Sequence, residues 1–139
     1  MYTTKNEINI LCREILNCAI EVHKALGPGL LESIYEKCLI YELEDRGFIV
    51  RSQIELPIVY KGHFLESKLR MDLLVEETVI VELKTVENFI PIHEAQIISH
   101  LKLMDLPKGL LINFNCTNIM KEGQKTFVTK RFAELPDGY

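Results

Sequence analysis

The segment Arg70-Met71-Asp72-Leu73-Leu74-Val75, followed after Glu76-Glu77-Thr78 by Val79-Ile80-Val81-Glu82-Leu83-Lys84, constrains the fold more than any other part of the chain. Met71, Leu73 and Val75 alternate on one side of the first run, and Val79, Val81 and Leu83 on one side of the second. Such alternation reads as two half-buried strands. A one-residue slip would carry every apolar side chain of one strand to the wrong face, so burial dictates register. In an antiparallel pair the numbers of opposed residues have a constant sum. A sum of 154 sets Val75 against Val79, Leu73 against Val81 and Met71 against Leu83, with both apolar sets on one core. A sum of 153 would turn the two sets to opposite sides. The pattern therefore predicts an odd-length loop or a bulge near Glu76–Thr78.

The same register has a chemical consequence. It places Asp72 opposite Glu82, with Lys84 two residues along the same face. Opposed side chains have Cβ atoms about 4.5–5.5 Å apart. Two carboxylates that close raise one another's pKa unless a cation sits between them. Asp72 and Glu82 are thus spaced to share a divalent ion through hard oxygen ligands. Lys84 could hold or activate a water, or offset charge on a transferring phosphate. The plain alternative is a solvated Asp–Lys–Glu cluster on a sheet face. Leu74 and Ile80 share that face, which points to a partly covered site.

The rest of the chain supplies layers for this hairpin. Ile8, Leu11, Ile15, Cys18, Val22 and Leu26 recur at helical spacing and predict a helix over about 6–26, stopped by Gly27-Pro28-Gly29. A second helix is expected over about 30–46, with a buried stripe of Leu31, Ile34, Cys38 and Tyr41 and a stop at Gly47. Strands are expected over about 48–60, broken by Pro57, and over 63–75 and 78–86. Ile92–Leu106 returns to helical spacing, with Ile97, Leu101 and Met104 on one face. Gly109–Phe114 is nearly all apolar and reads as a strand buried on both faces. Thr126–Phe132 closes the chain as a last strand. The expected architecture is α/β, a mixed sheet flanked by helices, in the order α-α-β-β-β-α-β-β.

Composition narrows the function classes. At 139 residues, 47% apolar and 26% charged, the chain suits one globular domain spanning 1–139, with a core that needs no staples. No apolar run approaches the roughly 20 residues of a membrane span. Met1-Tyr2-Thr3-Thr4-Lys5 lacks the layout of a signal peptide, so a cytoplasmic protein without a membrane partner is expected. Cys12, Cys18, Cys38 and Cys116 form no zinc spacing and read as reduced thiols in apolar stretches. The net charge of −4 argues against general nucleic-acid binding, which phosphate neutralisation drives. The charge is uneven: Lys102–Arg131 carries six basic and two acidic residues, a local basic surface or an ordinary solvated face.

Asp72 followed by Glu82-x-Lys84 resembles the PD-(D/E)xK nuclease superfamily. Glu66-Ser67-Lys68 also reads E-x-K, but only Glu82-Leu83-Lys84 has an acidic partner on the preceding strand. Met71 stands where that pattern has proline. Gly29-Leu30-Leu31-Glu32-Ser33-Ile34-Tyr35 reads G-x-x-E-x-x-Y, and Gln96 follows on the helix after the hairpin. This order resembles the RecB-like branch, and the stretch from Glu21-Val22-His23 through Asn113-Phe114 resembles the GxxExxY proteins. The resemblance implies a restriction-endonuclease-like fold. It implies metal ligands at Asp72, Glu82 and the Leu83 carbonyl, support from Glu32, a catalytic lysine at Lys84 and an orienting glutamine at Gln96. RecB-like enzymes often carry tyrosine four residues after that glutamine; here the position is His100. His93, Gln96 and His100 share one helix face that could point at the acidic cluster, and His100 and Lys102 are candidate nucleic-acid contacts.

The expected function is Mg²⁺-dependent (or Mn²⁺-dependent) phosphodiester hydrolysis of nucleic acid, DNA before RNA by analogy. The alternatives are a catalytically inactive nuclease-fold binding or regulatory module, and hydrolysis of a small phosphate ester. Analogy with other nucleases also suggests a homodimer, although no interface stripe is legible. Without the resemblance, Glu32 reads as a first-turn carboxylate meeting its helix dipole. Tyr35 reads as a packed ring with a satisfied hydroxyl, Gln96 as an exposed helix residue, and His23 as a structural residue near a helix end.

Overall fold

The structure, a computed structural model, describes residues 2–138. Helix α1 (Lys5–Leu26) starts at Thr4, whose hydroxyl accepts the Glu7 N–H while Glu7 accepts the Thr4 N–H. This reciprocal cap satisfies two donors that the first turn would otherwise leave free. Its stripe of Ile8, Leu11, Ile15, Cys18 and Val22 is buried as the spacing requires. The helix ends at Gly27, whose φ of +68° suits glycine.

Helix α2 (Glu32–Asp45) buries a different stripe from the one expected. Tyr35, Leu39 and Leu43 face the core, whereas Leu31 and Tyr41 are 70% and 72% exposed, Ile34 is also exposed and Cys38 is half-buried. The helix has apolar residues on more than one face, so periodicity alone left two stripes open. Tertiary contacts choose: the Tyr35 ring stacks on Phe114 at 4.4 Å, and its hydroxyl donates to the Gly27 carbonyl at 2.6 Å and accepts from the Leu30 N–H.

Strands β1 (Val50–Glu55), β4 (Arg70–Val75), β5 (Val79–Lys84), β6 (Lys108–Asn113) and β7 (Gln124–Val128) form one sheet in the order β1-β4-β5-β6-β7. Among the described residues only β5 and β6 run parallel, joined by the crossover helix α3 (Pro91–Met104). Helices α1 and α2 cover one face, where Ile15, Leu39, Leu73, Val81, Ile112 and Phe114 share a core. Helix α3 covers the other, where Leu74, Ile80 and Leu111 meet Ile97 and Leu101. Strand β6 is buried along its whole length, as an apolar run between two helical layers must be. This is a restriction-endonuclease-like mixed sheet flanked by helices.

Two expected strands are each divided. Pro57 separates β1 from β2 (Ile58–Tyr60), and residues 66–69 separate β3 (His63–Leu65) from β4. Strands β2 and β3 pair only with one another, as a hairpin outside the main sheet. The last strand ends at Val128, because Thr129 opens the one-turn helix α5 (Lys130–Ala133). A second one-turn helix, α4 (Ile119–Glu122), was not legible as periodicity because four residues carry none.

Candidate active site

The β4–β5 register is the one that burial requires: Val75 faces Val79, Leu74 faces Ile80 and Leu73 faces Val81. The loop is Glu76-Glu77-Thr78, an odd length, with both glutamates at positive φ and the Thr78 N–H returned to the Val75 carbonyl at 3.0 Å. The pairing stops there. Toward the site end, the Leu83 N–H donates to Asp72 Oδ2 at 2.8 Å. On the other side of β4, pairing with β1 skips Asp72 and Gln53, and Gln53 takes a φ of +50°. Met71 is displaced accordingly. It packs with Leu74 and Ile80 on the α3 face and not with Leu73 and Leu83. Strict alternation fails because the strand is irregular at Asp72, and with it fail the expected pairings of Met71 with Leu83 and of Asp72 with Glu82.

That irregularity opens a cleft of about 310 Å³ lined by Glu32, Ser33, Glu36, Gln53, Asp72 and Leu83. The Gly27–Gly29 turn, pinned by Tyr35, sets the start of α2 and hence Glu32 at its first position. Burial pushes the Asp72 carboxyl above its ordinary range and Glu82 adds to this, while the Leu83 N–H, Lys84 and Gln53 draw it back. Desolvation likewise raises Glu32; Lys84 opposes the rise, and Asp72 and Glu82 reinforce it. Glu36 is also raised, by burial first, despite the Gln53 side-chain N–H donated to it at 2.8 Å. Lys84 is the cation whose charge acts on both Asp72 and Glu32.

Glu82 is almost wholly buried. Its Oε1 lies 2.9 Å from His100 Nδ1 on α3, a close approach that is not aligned as a hydrogen bond. Its Oε2 is buried with no hydrogen-bond partner among the described residues. An orphaned buried carboxylate oxygen is costly unless something fills its coordination. Among the described residues, no three His, Cys, Asp or Glu side chains stand together in a metal-holding group. Glu82 and Lys84 do not line the cleft that Asp72, Glu32 and Glu36 share. The donor types present, carboxylates of which one has a free buried oxygen, are those a hard divalent cation takes.

The remaining sequence-derived residues are scattered. Gln96 is exposed on α3. His93 accepts the Ile90 N–H at the start of that helix. His100 turns its ring onto Glu82, so the expected face of three residues sends one of them to the acidic cluster. Lys102 is exposed beside a separate groove of about 380 Å³ that also has Lys130 and Arg131 on its rim. The basic run disperses: Lys125 pairs with Glu94, Arg131 with Asp105, and Lys108 is buried against Asn9 and Phe132. His23 anchors the end of α1 to the Cys116 carbonyl at 2.9 Å. The cysteines are unpaired, and burial pushes Cys12 and Cys18 up to about 11.

Sequence reasoning missed Glu36 and Gln53. Glu36 follows Glu32 at i+4, the helix spacing that puts two side chains on one face. Gln53 is the number opposite Asp72 in the β1–β4 register. Both signals become visible only once the cleft is known.

A five-stranded mixed sheet between helical layers, with acidic side chains and a lysine at the open end of its central hairpin, defines a nuclease-type scaffold. The family model of the PD-(D/E)XK nuclease superfamily matches residues 9–127, and the chain belongs to that superfamily. No curated protein and no solved structure matches the chain. Among the described residues, no helix is long and apolar enough to cross a membrane.

Proposed function

We propose that this chain hydrolyses phosphodiester bonds of nucleic acid with a divalent metal, Mg²⁺ or Mn²⁺, and that DNA is preferred to RNA. The observation that carries the reading is the orphaned Glu82 Oε2, buried in a superfamily member whose Asp72, Lys84 and Glu32 act electrostatically on one another. Asp72, Glu82 and the Leu83 carbonyl would hold the ion, with Glu32 supporting it. When bound, the ion lowers the pKa of a coordinated water and polarises the phosphoryl oxygen. Lys84 then orients the attacking water and offsets negative charge that develops on the phosphate. His100 lies against Glu82 from α3, and Gln96 serves the approaching strand. Membership of the RecB-like branch and of the GxxExxY group belongs to the same reading, on the Gly29–Tyr35 motif and Gln96.

A second reading keeps the fold and drops the chemistry: a nuclease-fold module that binds a partner. The absence of a three-residue metal group among the described residues favours it. Calorimetric titration of Mg²⁺ and Mn²⁺ into wild type and Asp72→Asn separates the two, with cleavage of single- and double-stranded DNA and RNA assayed on the same samples. The nuclease reading expects metal binding lost in the variant and metal-dependent cleavage by wild type alone. No binding and no cleavage would overturn it in favour of the module.

A further inference from the structure

We propose that the β2–β3 hairpin is an arm that grips unpaired nucleotides, Phe64 and Tyr60 stacking on bases and Lys61 and Lys68 holding phosphates. The inference rests on the nuclease reading and names the form of nucleic acid that reaches the site.

The hairpin is unusual in what it leaves uncovered. Its pairing sets Tyr60 against His63 on one face and Val59 against Phe64 on the other. Ile58 packs into the α3-side core, but Val59, Tyr60 and Phe64 are 61%, 60% and 72% exposed. A ribbon with an uncovered aromatic on each face needs a partner that offers flat apolar surfaces. Charge identifies the partner. Residues 57–70 carry Lys61, Lys68 and Arg70 against Glu66, a net +2 in a chain of −4, so the remainder is −6. Arg70 is engaged with Glu55, whereas Lys61 and Lys68 have no carboxylate within ion-pair distance among the described residues. Lys61 lies instead over the Tyr60 ring, 5.4 Å from its centre. Aromatic rings interleaved with free cations suit a single strand, whose bases present π-faces beside their phosphates. A two-stranded ribbon can also enter a duplex major groove, where base edges are read mainly by polar side chains; the Val59–Phe64 face offers only apolar contact.

Position agrees. The arm leaves the end of β1 and returns at Arg70, its root closed by the Leu56 N–H to the Leu69 carbonyl at 3.0 Å. At about 3.3 Å per residue, Arg70 lies roughly 7 Å along β4 from Asp72. A strand held by the arm is therefore presented to the end of the sheet that carries the site.

Fluorescence anisotropy with labelled oligothymidine and with a duplex of mixed sequence, in Ca²⁺ with probe length checked on gels, tests this. Phe64→Ala should weaken single-strand binding about 5- to 150-fold. Lys61→Ala combined with Lys68→Ala should reduce the salt slope by about 1.4. Met120→Ala, an exposed apolar residue on α4, should change neither. Equal urea midpoints show that the variants are folded. Equal single-strand affinity of wild type and Phe64→Ala, or tighter binding of the duplex, overturns the arm; metal-dependent cleavage by the same wild-type preparation then leaves the nuclease reading standing. Self-association that sedimentation shows in wild type and not in Phe64→Ala, without any effect on oligonucleotide binding, also overturns it in favour of a second copy of the chain. Neither binding nor cleavage of any nucleic acid overturns both readings.

Discussion

The two hairpins of this chain are neighbours in sequence and opposites in physics. In β4–β5 nearly every side chain is buried, the turn is three residues, and the register follows from which residues must leave water. In β2–β3 three residues pair with three, most of them exposed, and nothing in the apolar pattern separated them from the strands on either side. Burial supplies the free energy that makes one register better than its neighbours; exposure removes that discrimination. The first hairpin is framework and carries the candidate site at its open end. The second is free to be shaped by what it touches.

Substitutions should widen this contrast. The largest effect belongs to the site end of β5. Lys84→Ala should lower cleavage at least about 100-fold while calorimetry still detects metal binding; cleavage at the wild-type rate removes Lys84 from the mechanism. Next comes packing. Leu73→Ala empties a fully buried position in β4 and should cost about 2–5 kcal/mol in urea unfolding, against about 0.5 kcal/mol or less for Val59→Ala in the arm. Comparable losses at both positions would mean that the arm is part of the cooperative core.

Tyr35→Phe should cost about 1–3 kcal/mol, because it keeps the stack on Phe114 and leaves the Gly27 carbonyl and Leu30 N–H without their shared partner. A wild-type midpoint would show that the turn before α2 is held without the hydroxyl.

The smallest effect is a change of slope with pH. Burial first, and neighbouring carboxylates after it, raise Glu32, Glu36 and Asp72 in the metal-free fold. In the window between their ordinary and raised values the folded chain holds more protons than the unfolded one, so stability falls as pH rises through it. Glu36→Gln should flatten that fall in Tm, and so should saturating Mg²⁺ in wild type. An unchanged slope in the variant would take Glu36 out of the cluster.

How much of this was legible follows the same physical line. The order along the chain of the five sheet strands and three long helices, the both-face burial of β6 and the turn end of the β4–β5 register could be read because each rests on apolar side chains leaving water. The α2 stripe was misread because that helix is apolar on several sides, and Phe114, distant in sequence, selects Tyr35. Met71 was misplaced because alternation assumes a regular ladder, which breaks at Asp72.

For the candidate site, the sequence by itself determined the proposed carriers: an aspartate and a glutamate on paired strands, a lysine two residues on, and a glutamate opening α2. Only tertiary structure decided how they stand. Asp72 is turned to the Leu83 N–H, Glu82 faces His100 with one oxygen unsatisfied, and Glu36 and Gln53 join the cleft. Periodicity reports which face of an element is dry. It says nothing about where a polar side chain turns at an irregular strand, because that is set by partners from three other elements that meet only in the folded chain.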